Sequence, residues 1–178
     1  WFDQLNALCD SIIAKKGKDP LTAFWKAFAV GMTGNITDCL RQLESFQSRK
    51  DLQFPVTLAL MYFHKKAVPV DREAVSQLKS ELSIAEDVAK EAGLVLASRF
   101  CLYTNNTKEA IRISRKVLDM KQGTGASTAF ELEATTVSQW CTLVEIEQYG
   151  GLDHSSQQQL RDINDQYSNN RNNEQFDP

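Results

Sequence analysis

Apolar side chains recur along this chain at three- and four-residue steps, the spacing of one face of an α-helix. In "KDPLTAFWKAFAVGM" those positions are Phe24, Ala27, Phe28 and Met32. Asp19 suits an N-cap there, and Pro20 falls at the first helical position, where its missing N–H costs nothing. Gly34-Asn35 stops this helix, and "ITDCLRQLESF" starts another with Cys39, Leu40, Leu43 and Phe46 on one side. Pro55 begins a helix bearing Leu58, Ala59, Tyr62 and Phe63; "HKKAVPV" ends it, and Asp71 opens a helix with Ala74, Val75 and Leu78. The stretch "SIAE" reads as a capping box, with the Ser83 hydroxyl accepting from the Glu86 amide. A long helix is therefore expected from there through Phe100 and Tyr103, closing at Asn105-Asn106. "TKEAIRISRKVL" is the next helix, "KQGTGAST" a flexible loop, and Ala129 to about Tyr149 a further helix. Gly150-Gly151 turn the chain, and "SSQQQLRDINDQY" can form that helix's partner. No segment alternates as a strand does. The fold class is all-α.

The helices pair into hairpins, and one feature recurs among the second helices. Each opens with a small residue followed by an aliphatic one: Ala7, Cys39, Ala74 and Ala110. The three intervals between them each fall within about two residues of the 34-residue tetratricopeptide period. The cause is steric, because two antiparallel helices approach closely at that point and a larger side chain would push them apart. Ala27 and Ala59 fit the matching small position on first helices, with Val30 and Tyr62 three residues on, and Gly34 fits the inter-helix turn. An irregular four-helix bundle would share the periodicity but not the regular recurrence. Residues 1–168 are thus expected to form tetratricopeptide-like helical-hairpin repeats in a right-handed α-solenoid, with 169–178 a polar, disordered tail. Residues 1–19 read as a second helix whose partner has been cut away, and a chain that opens on Trp1 reads as a piece of a longer protein.

Composition narrows the function. Of 178 residues 42% are apolar and 24% charged, with 8 Gly and 4 Pro, which supplies a core and too few breakers for a β-sandwich. A net charge of -3 gives no support to nucleic-acid binding, RNA reading by a helical-repeat solenoid included. No run approaches the roughly 18 to 20 apolar residues that would span a membrane. Cys9, Cys39, Cys101 and Cys141 sit singly in apolar-periodic segments and read as small buried hydrophobes in a reducing compartment. His64 and His154 are not spaced for a metal, so no cofactor or metal is expected.

Catalytic motifs are missing as well. There is no phosphate loop and no nucleophile turn, and "GTGAS" from Gly123 lacks the strand and lysine that phosphate cradling needs. The pairs Glu131/Glu133 and Glu145/Glu147 diverge on a helix and read as solvated surface. Cys101 lies near no histidine in sequence. The chain is not expected to be an enzyme.

The succession "FWKAFAVGMTGNITDCLRQLESF", "LALMYFHKKAVPVDREAV" and "TKEAIRISRKVLDM" resembles the amino-terminal part of the tetratricopeptide repeat protein 21 family, over roughly residues 8 to 150. The most specific element is the irregular hairpin around Pro69, with its non-consensus turn and charged restart. That family includes intraflagellar transport protein 139, a subunit of intraflagellar transport complex A. The resemblance implies an all-repeat scaffold of retrograde ciliary transport and of ciliary membrane-protein entry. Its partners would be other complex A subunits and ciliary cargo proteins, and its place the cilium or flagellum and the basal body, on the cytoplasmic side. From Gly150 onward the likeness fades.

In such arrays first helices line the concave face, so candidate partner-binding residues are Trp25, Phe24, Phe28 and Met32 on one first helix and His64 on the next. Trp25 is preferred, since Phe24 and Phe28 share the stripe of Ala27 while Trp25 lies off it. Trp140, in the apolar run "VSQWCTLV", is expected in the core. An alternative is an adaptor that clamps a partner's acidic C-terminal tail, for which Lys26 and Lys65 are present but paired asparagines are not.

Overall fold

The computed structural model describes residues 1–120, 129–149 and 158, and among them every regular element is an α-helix. In chain order these are α1 (Phe2–Lys16), α2 (Pro20–Met32), α3 (Ile36–Glu44), α4 (Gln53–Lys66), α5 (Arg72–Asp87), α6 (Glu91–Tyr103), α7 (Thr107–Asp119) and α8 (Ala129–Tyr149). The chain divides into two compact units, Trp1–Gly93 and Leu94–Pro178.

In the first unit the helix starts are fixed locally. Asp19 Oδ2 accepts from the Thr22 N–H at 2.9 Å with Pro20 at the first helical position. Asn35 Oδ1 accepts from the Asp38 N–H at 3.2 Å, and Asp71 Oδ1 from the Ala74 N–H at 2.9 Å. Each satisfies an amide that the first turn leaves without a partner. Gly34, at φ +100°, takes the left-handed backbone that lets α2 reverse into α3, a conformation that Cβ-bearing residues resist.

Short turns fold each helix back on the last, so α1 packs on α2, α2 on α3, α3 on α4 and α4 on α5, while α2 also reaches α4. The core is aromatic. Phe28 lies edge-on to Phe2 of α1 at 5.7 Å and tilted against Phe63 of α4 at 6.3 Å between ring centroids. Phe24, Phe28, Phe54, Phe63, Val56 and Leu43 are all essentially out of water. Each such side chain contributes about 1.5–3 kcal/mol by burial. Where α2, α3 and α4 converge stands Gly31: a Cβ built there would fall 2.6 Å from Phe63 Cζ and 2.7 Å from Cys39 Sγ.

In the second unit α7 is strongly two-sided, burying Ala110, Ile113, Ser114 and Val117 at helical spacing. It packs on α8, whose buried line is Ala134, Val137, Ser138, Cys141 and Thr142. The Thr107 hydroxyl at the start of α7 donates to Glu145 Oε1 at 2.9 Å across that hairpin.

Three expectations need correction. The Ser83 box does not start a helix: α5 runs unbroken from Arg72 to Asp87, and α6 begins only at Glu91. A four-residue signal lost there to the apolar line of Leu78, Leu82 and Ala85, which needs the helix to continue. The small residues opening second helices are not equivalent. Cys39 and Ala110 are wholly buried, but Ala74 is half-buried and Ala7 faces solvent, with Cys9 buried in its place. Trp140 is 58% exposed, because the face of α8 that meets α7 is filled by smaller side chains. The expected loop at 121–128, the partner segment after Gly151 and the 169–178 tail lie outside the described residues.

Candidate docking surfaces

Helix α2 carries most of the side chains expected to bind a partner. Its N-cap and proline fix the register, and the 3.6-residue repeat then turns Ala23, Phe24, Ala27, Phe28 and Gly31 inward. Phe24 and Phe28 are 0% exposed, so the docking role expected of them is denied by their place in the core. Trp25 is half-buried beside them, edge-on to Phe24 at 5.4 Å and to Phe28 at 5.6 Å. Met32, also half-buried, offers its Sδ to the Tyr62 hydroxyl at 3.9 Å, and Lys66 lies over the Tyr62 ring at 5.2 Å. His64 stands 3.7 Å from Asp71 Oδ2, across the turn from α4 to α5. Trp25 and Met32 keep exposed edges for contact, and Leu21 in the first turn of the same helix is 46% exposed.

A second concavity of the first unit went unnoticed in the sequence. Ile13, Ala23 and Phe46 floor a pocket of about 530 Å³ whose rim includes Lys18, Lys26 and Arg41. Lys26 pairs with Asp10 of α1, Arg41 with Asp38 of α3 at 2.7 Å, and Lys18 lies 5.7 Å from the Phe46 ring centre. These cations are far apart in sequence and meet only because α1, α2 and α3 stack.

The second unit contains an apolar groove of about 580 Å³ between the end of α6 and α8. It is lined by Leu102 and Tyr103 from α6 and by Leu132, Thr136, Val137 and Trp140 from α8, with the Arg99–Glu133 ion pair at 2.9 Å on its rim. Trp140, Leu132 and Tyr103 remain 58%, 49% and 45% exposed. The signal was legible in retrospect. Leu132, Thr136, Trp140 and Leu143 follow at steps of four, four and three, a second line opposite the one buried against α7.

All four cysteines are free and buried. Desolvation pushes the Cys39 and Cys101 thiols up to about 12 and Cys141 to about 11, so at neutral pH they are neutral and poorly nucleophilic. Among the described residues no three His, Cys, Asp or Glu side chains converge as a metal site, and no helix is long and apolar enough to cross a membrane.

Comparison with known proteins bears on what such surfaces serve. A family model described as the tetratricopeptide repeat protein 21 N-terminal ARM repeat matches residues 1–174. Tetratricopeptide repeat protein 21B of Xenopus laevis is 31% identical over 110 residues, which is 62% of this chain and 8% of that protein. Human tetratricopeptide repeat protein 21A is 28% identical over 123 residues, 69% of this chain and 9% of its own length. The mouse 21B protein is 33% identical over 93 residues, 52% of this chain and 7% of its own. The chain thus spans less than a tenth of the relatives it matches.

Proposed function

Because the chain belongs to the tetratricopeptide repeat protein 21 family, we propose that it is part of a non-enzymatic scaffold subunit of intraflagellar transport complex A. Its work is retrograde ciliary transport and the admission of membrane proteins to the cilium. It acts through contacts with other complex A subunits and cargo proteins, on the cytoplasmic side of the cilium or flagellum and at the basal body. The observation that carries this reading is the family match over nearly the whole chain. The architecture agrees with it: paired helices hold exposed apolar side chains at fixed spacing, as protein docking requires. Affinity purification of the full-length protein from ciliated cells tests it, with complex A subunits expected to co-purify. Their absence from the recovered proteins would overturn the reading.

A second reading draws on the pocket of Lys18, Lys26 and Arg41, where a partner's acidic C-terminal tail would displace Asp10 from Lys26 and Asp38 from Arg41. Isothermal titration with an acidic C-terminal peptide separates the two. Micromolar binding that Arg41→Ala weakens would support the adaptor, and absent binding would dismiss it.

A further inference from the structure

We infer that the pocket of the first unit rimmed by Lys18, Lys26 and Arg41 takes a phosphoserine or phosphothreonine carried on a partner's acidic tail. This rests on the second reading above, in which a protein tail enters the pocket, and adds what that tail must bear.

The three cations are not equally free. Lys26 is paired with Asp10 and Arg41 with Asp38, while Lys18 makes no ion pair among the described residues and lies near the Phe46 ring. The side chains of Asp10 and Asp38 are 53% and 44% exposed. Ion pairs held that far out in water contribute little, so an incoming anion displaces them readily. What the newcomer gains then decides which anion it is. A tail carboxylate puts one singly charged group in place of another at Lys26 and Arg41, an even exchange, and gains only at Lys18. A phosphoryl group carries about −1.5 to −2 charges at neutral pH and three strong acceptor oxygens. At each cation that it reaches, it replaces a weaker anion by a stronger one, and the Arg41 guanidinium can meet two of its oxygens at once.

The lining suits a doubly charged guest. It contains no acidic side chain, and Gln42 and Ser45 bring an amide and a hydroxyl beside Arg41. Asp19, next to Lys18 in sequence, is turned to the start of α2, where Oδ2 accepts from the Thr22 N–H at 2.9 Å and from the Thr22 hydroxyl at 3.0 Å. Glu44, beside Ser45, is exposed and stands outside the lining. Lys15 and Lys16, exposed in the last turn of α1, add positive charge two and three residues before Lys18.

The floor tells a protein from a lipid. Ile13, Ala23 and Phe46 are apolar, and an apolar residue beside the phosphorylated one would cover them. The inositol headgroup of a phosphorylated lipid bears only hydroxyl and phosphate groups and would leave that floor bare. A volume of about 530 Å³ has room for both side chains.

The test is fluorescence anisotropy of four labelled probes titrated with the 178-residue chain. Three are one acidic tail peptide with phosphoserine, serine or glutamate next to a leucine, and the fourth is inositol trisphosphate. The phosphoserine peptide is expected to bind about tenfold tighter than the serine form. Lys18→Ala and Arg41→Ala, both at exposed positions, should each erase most of that difference while the circular dichroism melt stays in place. Asp10→Asn and Asp38→Asn, which leave the cations unopposed, should tighten the serine peptide. Four results would overturn the inference: equal binding of the phosphoserine and serine peptides, equal binding of the phosphoserine and glutamate peptides, a difference that survives both Lys18→Ala and Arg41→Ala, or tighter binding of inositol trisphosphate. Equal, Arg41-dependent binding of all three peptides would leave the acidic-tail reading standing while this inference falls. Absence of binding by every peptide would end both, and none of these results touches co-purification with complex A.

Discussion

The ring of Phe63 occupies the space into which a side chain on Gly31 would project, with Cys39 Sγ closing the same space from α3. This contact sets how closely α2 approaches its neighbours. Alanine is the better helix former by about 1 kcal/mol, so Gly31→Ala would stabilise an exposed helix. Here the methyl group must displace a ring that is wholly buried. Chemical denaturation of Gly31→Ala is expected to show a net loss of about 1–3 kcal/mol. Pairing it with Phe63→Leu should cost less than the two separate losses predict. A more stable Gly31→Ala protein would mean that α2 and α4 do not meet as described.

Trp25 and Phe28 adjoin in space yet should behave differently. Phe28→Ala opens a cavity among Phe2, Trp25 and Phe63, and a loss of about 3–5 kcal/mol is expected in a denaturant melt. Trp25→Ala removes two edge-to-face contacts from a half-buried ring and should cost no more than about 3 kcal/mol. Its helical signal should stay largely intact while recovery of partner proteins falls. Gross unfolding of Trp25→Ala on a circular dichroism melt would reassign that ring to the core.

The buried thiols predict a pH dependence with a definite sign. Cys39 and Cys101 ionise ordinarily near 9.0 and are pushed up to about 12 by desolvation. The folded chain therefore holds protons that the unfolded chain releases. Their stabilising contribution is complete below pH 9 and is lost as pH rises from about 9 to about 12, by up to ~1.4 kcal/mol per thiol for each pH unit. Other groups titrate in that range, so the comparison to make is between the native chain and Cys39→Ala. The stability difference between them should shrink as pH rises above 9. A constant difference would place the Cys39 thiol in water.

The exposed caps should yield smaller, separable losses. Asp71→Ala removes the acceptor for the Ala74 N–H, and Asn35→Ala the acceptor for the Asp38 N–H. Each is expected to lower unfolding free energy by about 1 kcal/mol, with the double variant additive because the sites share no partner. Denaturant midpoints measure both.

What the sequence made legible was mostly local. Asp19-Pro20, Gly34, Asp71 and Asn105 each mark a helix end through backbone chemistry confined to a few residues, and each stands where expected. The local rule failed at Ser83, because a capping box is indifferent to whether Leu82 and Ala85 still require burial. Small size located the close approach at Cys39 and Ala110 but not at Ala7, since a small residue is tolerated on a surface as readily as in a crevice. Gly31 was passed over for a related reason: in a helix, a glycine that makes room reads the same as one that merely weakens. Trp140 was misplaced because apolarity says that a side chain will be covered without saying by what. The Lys18, Lys26 and Arg41 rim depends on three helices meeting, which no spacing along the chain encodes.

All four native sulfhydryls lie inside the protein. A dye or spin label coupled to an engineered surface cysteine at neutral pH would mark that position alone, with no need to strip the natural ones out first. Distance measurements on a bound partner could begin from the unaltered core.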